Sequence, residues 1–215
     1  MIEISAFRFV PPFAQGLVRD LRVRWALEEA GLPYEARLLQ QGDQDSEEYR
    51  ALQPFGQVPI YSEDGLDLFE SGAIVLHIGE RSDVLLPTDP TARKRAITWM
   101  FAALNSVEPY LQNFALLLSF YKDEAWAQER RPAAEALARR KLAALEKRLE
   151  GRAYLEDRFT AGDLLMVTVL RGLRETDLVT GSPVLDAYVK RCEARPAFQR
   201  ALAAQMAPFQ EAMAA

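Results

Sequence analysis

The chain holds one cysteine, Cys192, and one histidine, His77, in 215 residues. A lone cysteine excludes an internal disulfide framework and fits a reducing compartment, so a cytoplasmic location is expected. A lone histidine excludes a multi-histidine metal site. No stretch approaches the run of about 18 apolar residues that a membrane-spanning helix needs, so no membrane is expected as a partner. There is no positive surplus either: the formal net charge is −5, which argues against nucleic acid. The start, Met1-Ile2-Glu3-Ile4-Ser5, has neither the basic nor the long apolar segment of a secretory leader. No Cys-x-x-Cys occurs, so dithiol exchange within the chain is not supported.

What is present is an ordinary globular composition, 49% apolar with charges of mixed sign. Ile2 to Phe9 alternates as a first strand, and Val10-Pro11-Pro12 to Gly16 reads as a loop. A helix is predicted from about Leu17 to Ala30, with Val23, Ala26, Leu27 and Ala30 on one face and Gly31 and Pro33 as stop signals. Tyr34, Ala36 and Leu38 alternate as a second strand. A polar loop from Gln40 to Ser46 and a short helical turn lead to Gln53-Pro54. Two short strands then meet at Asp64-Gly65, a hairpin turn, and a helix follows from Ser71, placed at the N-cap. This order, strand–helix–strand joined to a hairpin and a closing helix, is the α/β thioredoxin-like plan.

From Thr91 onward only helical patterns appear. Asp89-Pro90 starts the first helix, and Pro109 kinks or breaks the run through residue 122. Arg131-Pro132 opens a helix to about Leu149. Phe159-Thr160-Ala161-Gly162-Asp163-Leu164 is a capping box with a staple, and Ser182-Pro183 and Arg195-Pro196 open the last two helices. The expected domains are residues 1–82, a linker over 83–90, and an all-α domain over 91–215.

The segment between Gln53 and Ser71 carries the chemistry. In Gln57-Val58-Pro59-Ile60 the proline cannot donate to a sheet ladder, so it marks an edge, a strand start or a cis bond. An extended peptide could pair with the backbone of Val58 as an added strand. Beyond the hairpin, Glu70-Ser71 sits at a helix start, where a carboxylate is attracted and an ammonium finds the Glu70 side chain. A plain edge-strand proline is the bland alternative; the two flanking pairs weigh against it.

Gln53-Pro54-Phe55-Gly56-Gln57-Val58-Pro59, followed by Glu70-Ser71-Gly72-Ala73-Ile74, resembles the glutathione-binding half of soluble, bacterial-type glutathione transferases. Thr160 to Leu164 and Arg195 to Leu202 resemble the second domain, so the likeness spans nearly the whole chain. It implies that the Val58 backbone pairs with the cysteinyl part of glutathione, that Glu70 and Ser71 hold the γ-glutamyl end, and that Gln57 lies beside them. Gln44 is the nearest match for the glycyl end. It also implies a homodimer, a small apolar electrophile as second substrate, and no metal or redox cofactor.

One family feature is missing. Members supply Tyr, Ser or Cys after the first strand to hold the thiolate, and Phe9 to Val18 contains none. That leaves the positive end of the first helix, loop amides, and the side chains of Gln15 or Arg19. Val10 and Pro11, with Tyr110 and Phe114, are the candidates for the apolar-substrate site. His77 and Cys192 are read as packing residues, and Arg139-Arg140-Lys141 as a solvated helix face. The expected function is a glutathione transferase; the alternatives are a non-enzymatic scaffold or a ligand carrier of the same fold.

Overall fold

The computed structural model describes residues 1–214, with side chains described through residue 210. It separates into two compact units, one formed by Met1–Leu86 with the stretch from Arg195 on, the other by Pro87–Ala194.

The first unit is built on β1 (Ile2–Phe7), α1 (Asp20–Ala30), β2 (Tyr34–Leu39), α2 (Glu47–Leu52), β3 (Tyr61–Glu63), β4 (Leu66–Leu68) and α3 (Ser71–Gly79). The strands form one sheet in the order β2-β1-β3-β4. β1 runs parallel to β2, with Ile4 opposite Ala36, and antiparallel to β3, with Ile4 opposite Tyr61. The hairpin turn has positive φ at both Asp64 and Gly65, the type I′ geometry that matches strand twist. This is the thioredoxin-like plan, and the observed strands and helices fall close to the expected ones. β1 stops at Phe7 and α1 starts at Asp20, each two or three residues inside its predicted limit.

α1 departs from the simple amphipathic reading. It packs against α3 and the last helix, Pro196–Ala214, as well as the sheet, so every residue from Asp20 to Leu27 is buried, three of them charged. Asp20 pairs with Arg24 at 2.8 Å, and Arg22 reaches the hydroxyl of Ser71.

The second unit contains α4 (Pro90–Phe101), α5 (Glu108–Leu118), α6 (Ala125–Leu149), α7 (Ala161–Leu170), α8 (Asp177–Thr180) and α9 (Pro183–Glu193). Asp89 caps α4 by accepting from the amides of Thr91 and Ala92. The break expected at Pro109 takes the form of a π-helical turn over Ala102–Val107, after which Pro109 sits in the first turn of α5. A proline lacks the N–H an α-helical register would require there, and the widened turn absorbs the mismatch. Pro132 does not open a helix: α6 begins at Ala125 and runs through it. Arg131 holds this stretch by donating to the carbonyls of Leu117 and Lys122, while Ala, Glu, Arg and Leu around the proline favour helix.

α7 is the core of this unit. Thr160 and Asp163 form the predicted capping box. Asp163 also accepts from the Leu155 amide and the Tyr188 hydroxyl, both at 2.9 Å. Gly162 is required for packing: a Cβ there would stand 2.6 Å from that of Trp99 on α4.

The last helix, α10 (Pro196–Ala214), was grouped by sequence with the helical domain, yet its packing partner is α1. Trp25 meets Phe198 edge-on at 4.8 Å. Arg195 grips Glu29 with two bonds of 2.5 and 2.7 Å, and Gln205 donates to Asp20 and to the Val18 carbonyl. Those partners lie more than 160 residues apart in sequence, which no periodicity reveals.

Candidate functional site

Construction of the site begins at the turn after α2. Gln53, buried, accepts from the Phe55 amide at 2.7 Å and so closes the turn. Gly56 has φ +62°, and a Cβ there would lie 3.0 Å from both Arg50 Nη2 and the Gln44 carbonyl. Only glycine fits that turn. The Val58-Pro59 bond is cis.

The chain on either side of Val58-Pro59 is fastened from the inside. The Tyr49 hydroxyl donates to the Gln57 carbonyl at 2.7 Å. The Ile60 amide donates to Ser5 Oγ at 2.7 Å, and the two hydroxyls meet at 2.8 Å. The Val58 side chain packs in a cluster with Leu39, Tyr49 and Ile60, against Phe7 and Val18. No hydrogen bond to the N–H or C=O of Val58 is made among the described residues. Both groups are therefore available to an extended ligand. Burial raises the Tyr49 phenol above its ordinary pKa, against a smaller lowering by its bond to Ser5, which keeps it a neutral donor.

At the second cluster the structure corrects the cap assignment. Ser71 is the first helical residue of α3, the cap position falls on Glu70, and no side chain caps that end. Glu70 has φ +69° and ψ 109°, an uncommon conformation for a residue with a Cβ, and its side chain is exposed. Ser71 is buried and accepts from Arg22 Nη1 at 3.2 Å. The first amides of α3 thus have no side-chain cap, an arrangement suited to an anion.

The start of α1 links the two clusters. Val18 packs against the cluster that contains Val58, and one turn later Arg22 holds Ser71. Arg22 was missed in the sequence because an arginine between Leu21 and Val23 reads as an exposed charge. Ser5 and Tyr49 were missed as a pair, being 44 residues apart.

The remaining candidates are dispersed. Gln15 donates to the Val10 carbonyl at 3.1 Å and so ties its own loop. Arg19 is half-buried at the cap position of α1. The Gln44 side chain is engaged in its turn, accepting from the Gly42 amide and donating to Asp45; Gln57 is exposed. Val10 is half-buried and Pro11 exposed in the first unit. In the second, Phe114 belongs to the core, and Tyr110 is half-buried with Lys141 Nζ 4.3 Å from its ring centroid. His77 packs edge-on against Tyr61, and Cys192 is buried. Among the described residues no group of His, Cys, Asp and Glu could hold a metal ion, and no helix is long and apolar enough to cross a membrane.

A cavity of about 560 Å³ lies at the opposite end of α1, walled by Leu27, Leu32, Pro33, Tyr34, Arg24 and Arg200. Its charged groups are already paired, Arg24 with Asp20 and Arg200 with Glu28.

Comparison with known proteins agrees with this architecture. Residues 15–80 match the family model of the glutathione S-transferase N-terminal domain, and residues 107–196 that of the C-terminal domain. A glutathione S-transferase of Hyoscyamus muticus is 29% identical over 198 residues, covering 85% of this chain and 92% of the relative. A zeta class glutathione S-transferase of Euphorbia esula is 36% identical over 152 residues, 67% of this chain and 64% of that one. Among solved structures, a glutathione transferase from Burkholderia graminis with two glutathione molecules bound per subunit has a TM-score of 0.81 at 27% identity, covering 94% of this chain and 87% of its own. The two family models and the glutathione-bound neighbour define a two-domain, glutathione-binding class of protein. The chain belongs to the soluble glutathione S-transferase family.

Proposed function

We propose that the protein is a glutathione transferase that directs the thiolate of bound glutathione to a small, apolar electrophile. In this reading the Val58 backbone pairs with the cysteinyl part of glutathione. Ser71, Glu70 and the open end of α3 hold the α-carboxylate and ammonium of the γ-glutamyl end, with Gln57 alongside and Gln44 toward the glycyl end. The observation that carries it is the unbonded backbone of Val58, on a loop fixed from both sides. No hydroxyl or thiol side chain lies between Phe9 and Val18. The thiolate is therefore stabilised by loop amides and the positive end of α1, with Gln15 and Arg19 the side chains to test. Val10 and Pro11 are the proposed contacts of the electrophile, and the protein works as a cytoplasmic homodimer. Phe55, 64% exposed and edge-on to Phe69, suits burial between subunits.

The test is a thermal shift with glutathione followed by initial rates with an activated aryl halide. A ligand stabilises only a fold that binds it. A rise in Tm together with glutathione-dependent turnover supports the transferase. A rise without turnover favours a carrier, and no rise favours a scaffold. The two glutathione molecules in the Burkholderia graminis neighbour favour one further substrate class, a glutathionyl mixed disulfide. Attack of the bound thiolate on its glutathionyl sulfur would release glutathione disulfide and the partner thiolate, and the same assay with such a disulfide measures it.

A further inference from the structure

Pro59 offers no N–H, and among the described residues neither backbone group of Val58 is hydrogen-bonded. A strand at this position would ordinarily be located by ladder bonds through both residues. Here the loop is located by its flanks, and part of that work passes to two side chains from elsewhere in the unit: Ser5 on β1 and Tyr49 on α2. Ser5 contributes twice, since its own amide also donates to the Ile60 carbonyl at 2.9 Å.

The order of donors in this connection is fixed by chemistry. The Ile60 amide can only donate and the Gln57 carbonyl can only accept. Between them stand two hydroxyls, each able to give one proton. One arrangement satisfies all four groups: Ile60 N–H to Ser5 Oγ, Ser5 O–H to Tyr49 Oη, and Tyr49 O–H to the Gln57 carbonyl. The spacings are 2.7, 2.8 and 2.7 Å. Ser5 and Tyr49 are both buried, so water cannot readily replace either hydroxyl, and such runs of bonds polarise one another.

We propose that Ser5 and Tyr49 are positioning residues for glutathione, closing a one-way hydrogen-bond chain that holds the Gln57 carbonyl and the Ile60 amide and so sets where the Val58 backbone meets the peptide ligand. The proposal rests on the glutathione reading above. Neither side chain touches the ligand; each acts through the loop. Because added-strand pairing depends on both partners of a backbone pair lying within a few tenths of an ångström of bonding distance, breaking the chain at either hydroxyl loosens the same bond. The two hydroxyls therefore act as a unit.

The experiment is a double-mutant cycle on glutathione affinity, using Tyr49→Phe, Ser5→Ala and the pair, with Tm recorded for each. Each single change is expected to raise the Kd for glutathione about tenfold, and the pair to raise it by little more than either alone. KM for the electrophile should stay within about twofold, because the loop faces the peptide. A purely structural role predicts lower Tm values with an unchanged Kd, and that result overturns the proposal. So does a pair whose effects multiply, since independent contacts add in free energy. Wild-type protein that fails to bind glutathione overturns the parent reading, an outcome separate from variants that bind as tightly as the wild type. Tyr49→Phe keeps the packed ring, so it decides alone should Ser5→Ala fail to fold.

Discussion

Arg22 donates through Nη1 to the hydroxyl of Ser71 across 3.2 Å, with both residues buried. A guanidinium can only donate, so this bond occupies an acceptor site of the serine and leaves its O–H proton for another partner. The pair thus presents Ser71 as a donor beside the uncapped start of α3, the polarity that a ligand carboxylate requires.

Removing either member tests that relationship. Ser71→Ala is expected to raise the Kd for glutathione about tenfold, equivalent to one charge-assisted hydrogen bond. Arg22→Met should raise it about threefold, since the hydroxyl remains but is no longer oriented. Titration calorimetry checks both. Unchanged affinity in Ser71→Ala would remove the γ-glutamyl end from this position.

The docking of α10 on α1 leads to an unequal pair of outcomes. Glu29 is 6% exposed and takes two bonds from Arg195, whereas Arg200, holding Glu28, is 56% exposed. Arg195 itself is 26% exposed, so the pair is partly buried, and Arg195→Ala, which leaves the Glu29 charge mostly out of water, should lower the unfolding free energy by about 2 kcal/mol. Arg200→Ala should cost under about 1 kcal/mol. Denaturant unfolding of the two variants measures the difference, and equal losses would contradict the burial argument.

How much of this was legible beforehand follows from the range of each interaction. The Asp64-Gly65 turn, the Asp89 and Thr160 caps and the Gln57-Val58-Pro59 loop depend on residues within a few positions of one another, and they read directly from the chain. The Ser71 cap assignment failed by one place because Glu70 adopts a positive φ that composition does not announce. Arg22 and Asp20 were invisible as buried groups because charge on a helix reads as surface, and here three neighbouring layers cover all sides of α1. Pro132 misled for a related reason: tertiary anchoring through Arg131 outweighed the local breaker. The α1–α10 pairing and the Ser5–Tyr49 contact are long-range, and hydrophobic period carries no record of them.

Asp163 provides a pH test in the second unit. Burial raises its carboxyl above the ordinary value of 3.8, against the bonds from Leu155, Tyr188 and Thr160, which lower it. The folded protein therefore binds the proton more tightly than the unfolded chain. Its contribution is fully present below pH 3.8 and declines as pH rises through the folded value. Measured against Asp163→Asn, which does not titrate, the wild-type advantage in unfolding free energy should shrink as pH rises above that point. An advantage that grows would mean the hydrogen bonds outweigh burial.

The most direct test of the account is to titrate the purified protein with glutathione across pH while following the ultraviolet absorbance of the thiolate. The site described here predicts saturable binding, with the bound thiol ionising well below its pH in free solution despite the absence of Tyr, Ser and Cys between Phe9 and Val18. Binding with an unshifted thiol contradicts activation by the loop and the end of α1. No binding at all contradicts the assignment of the Val58 and Ser71 clusters to glutathione.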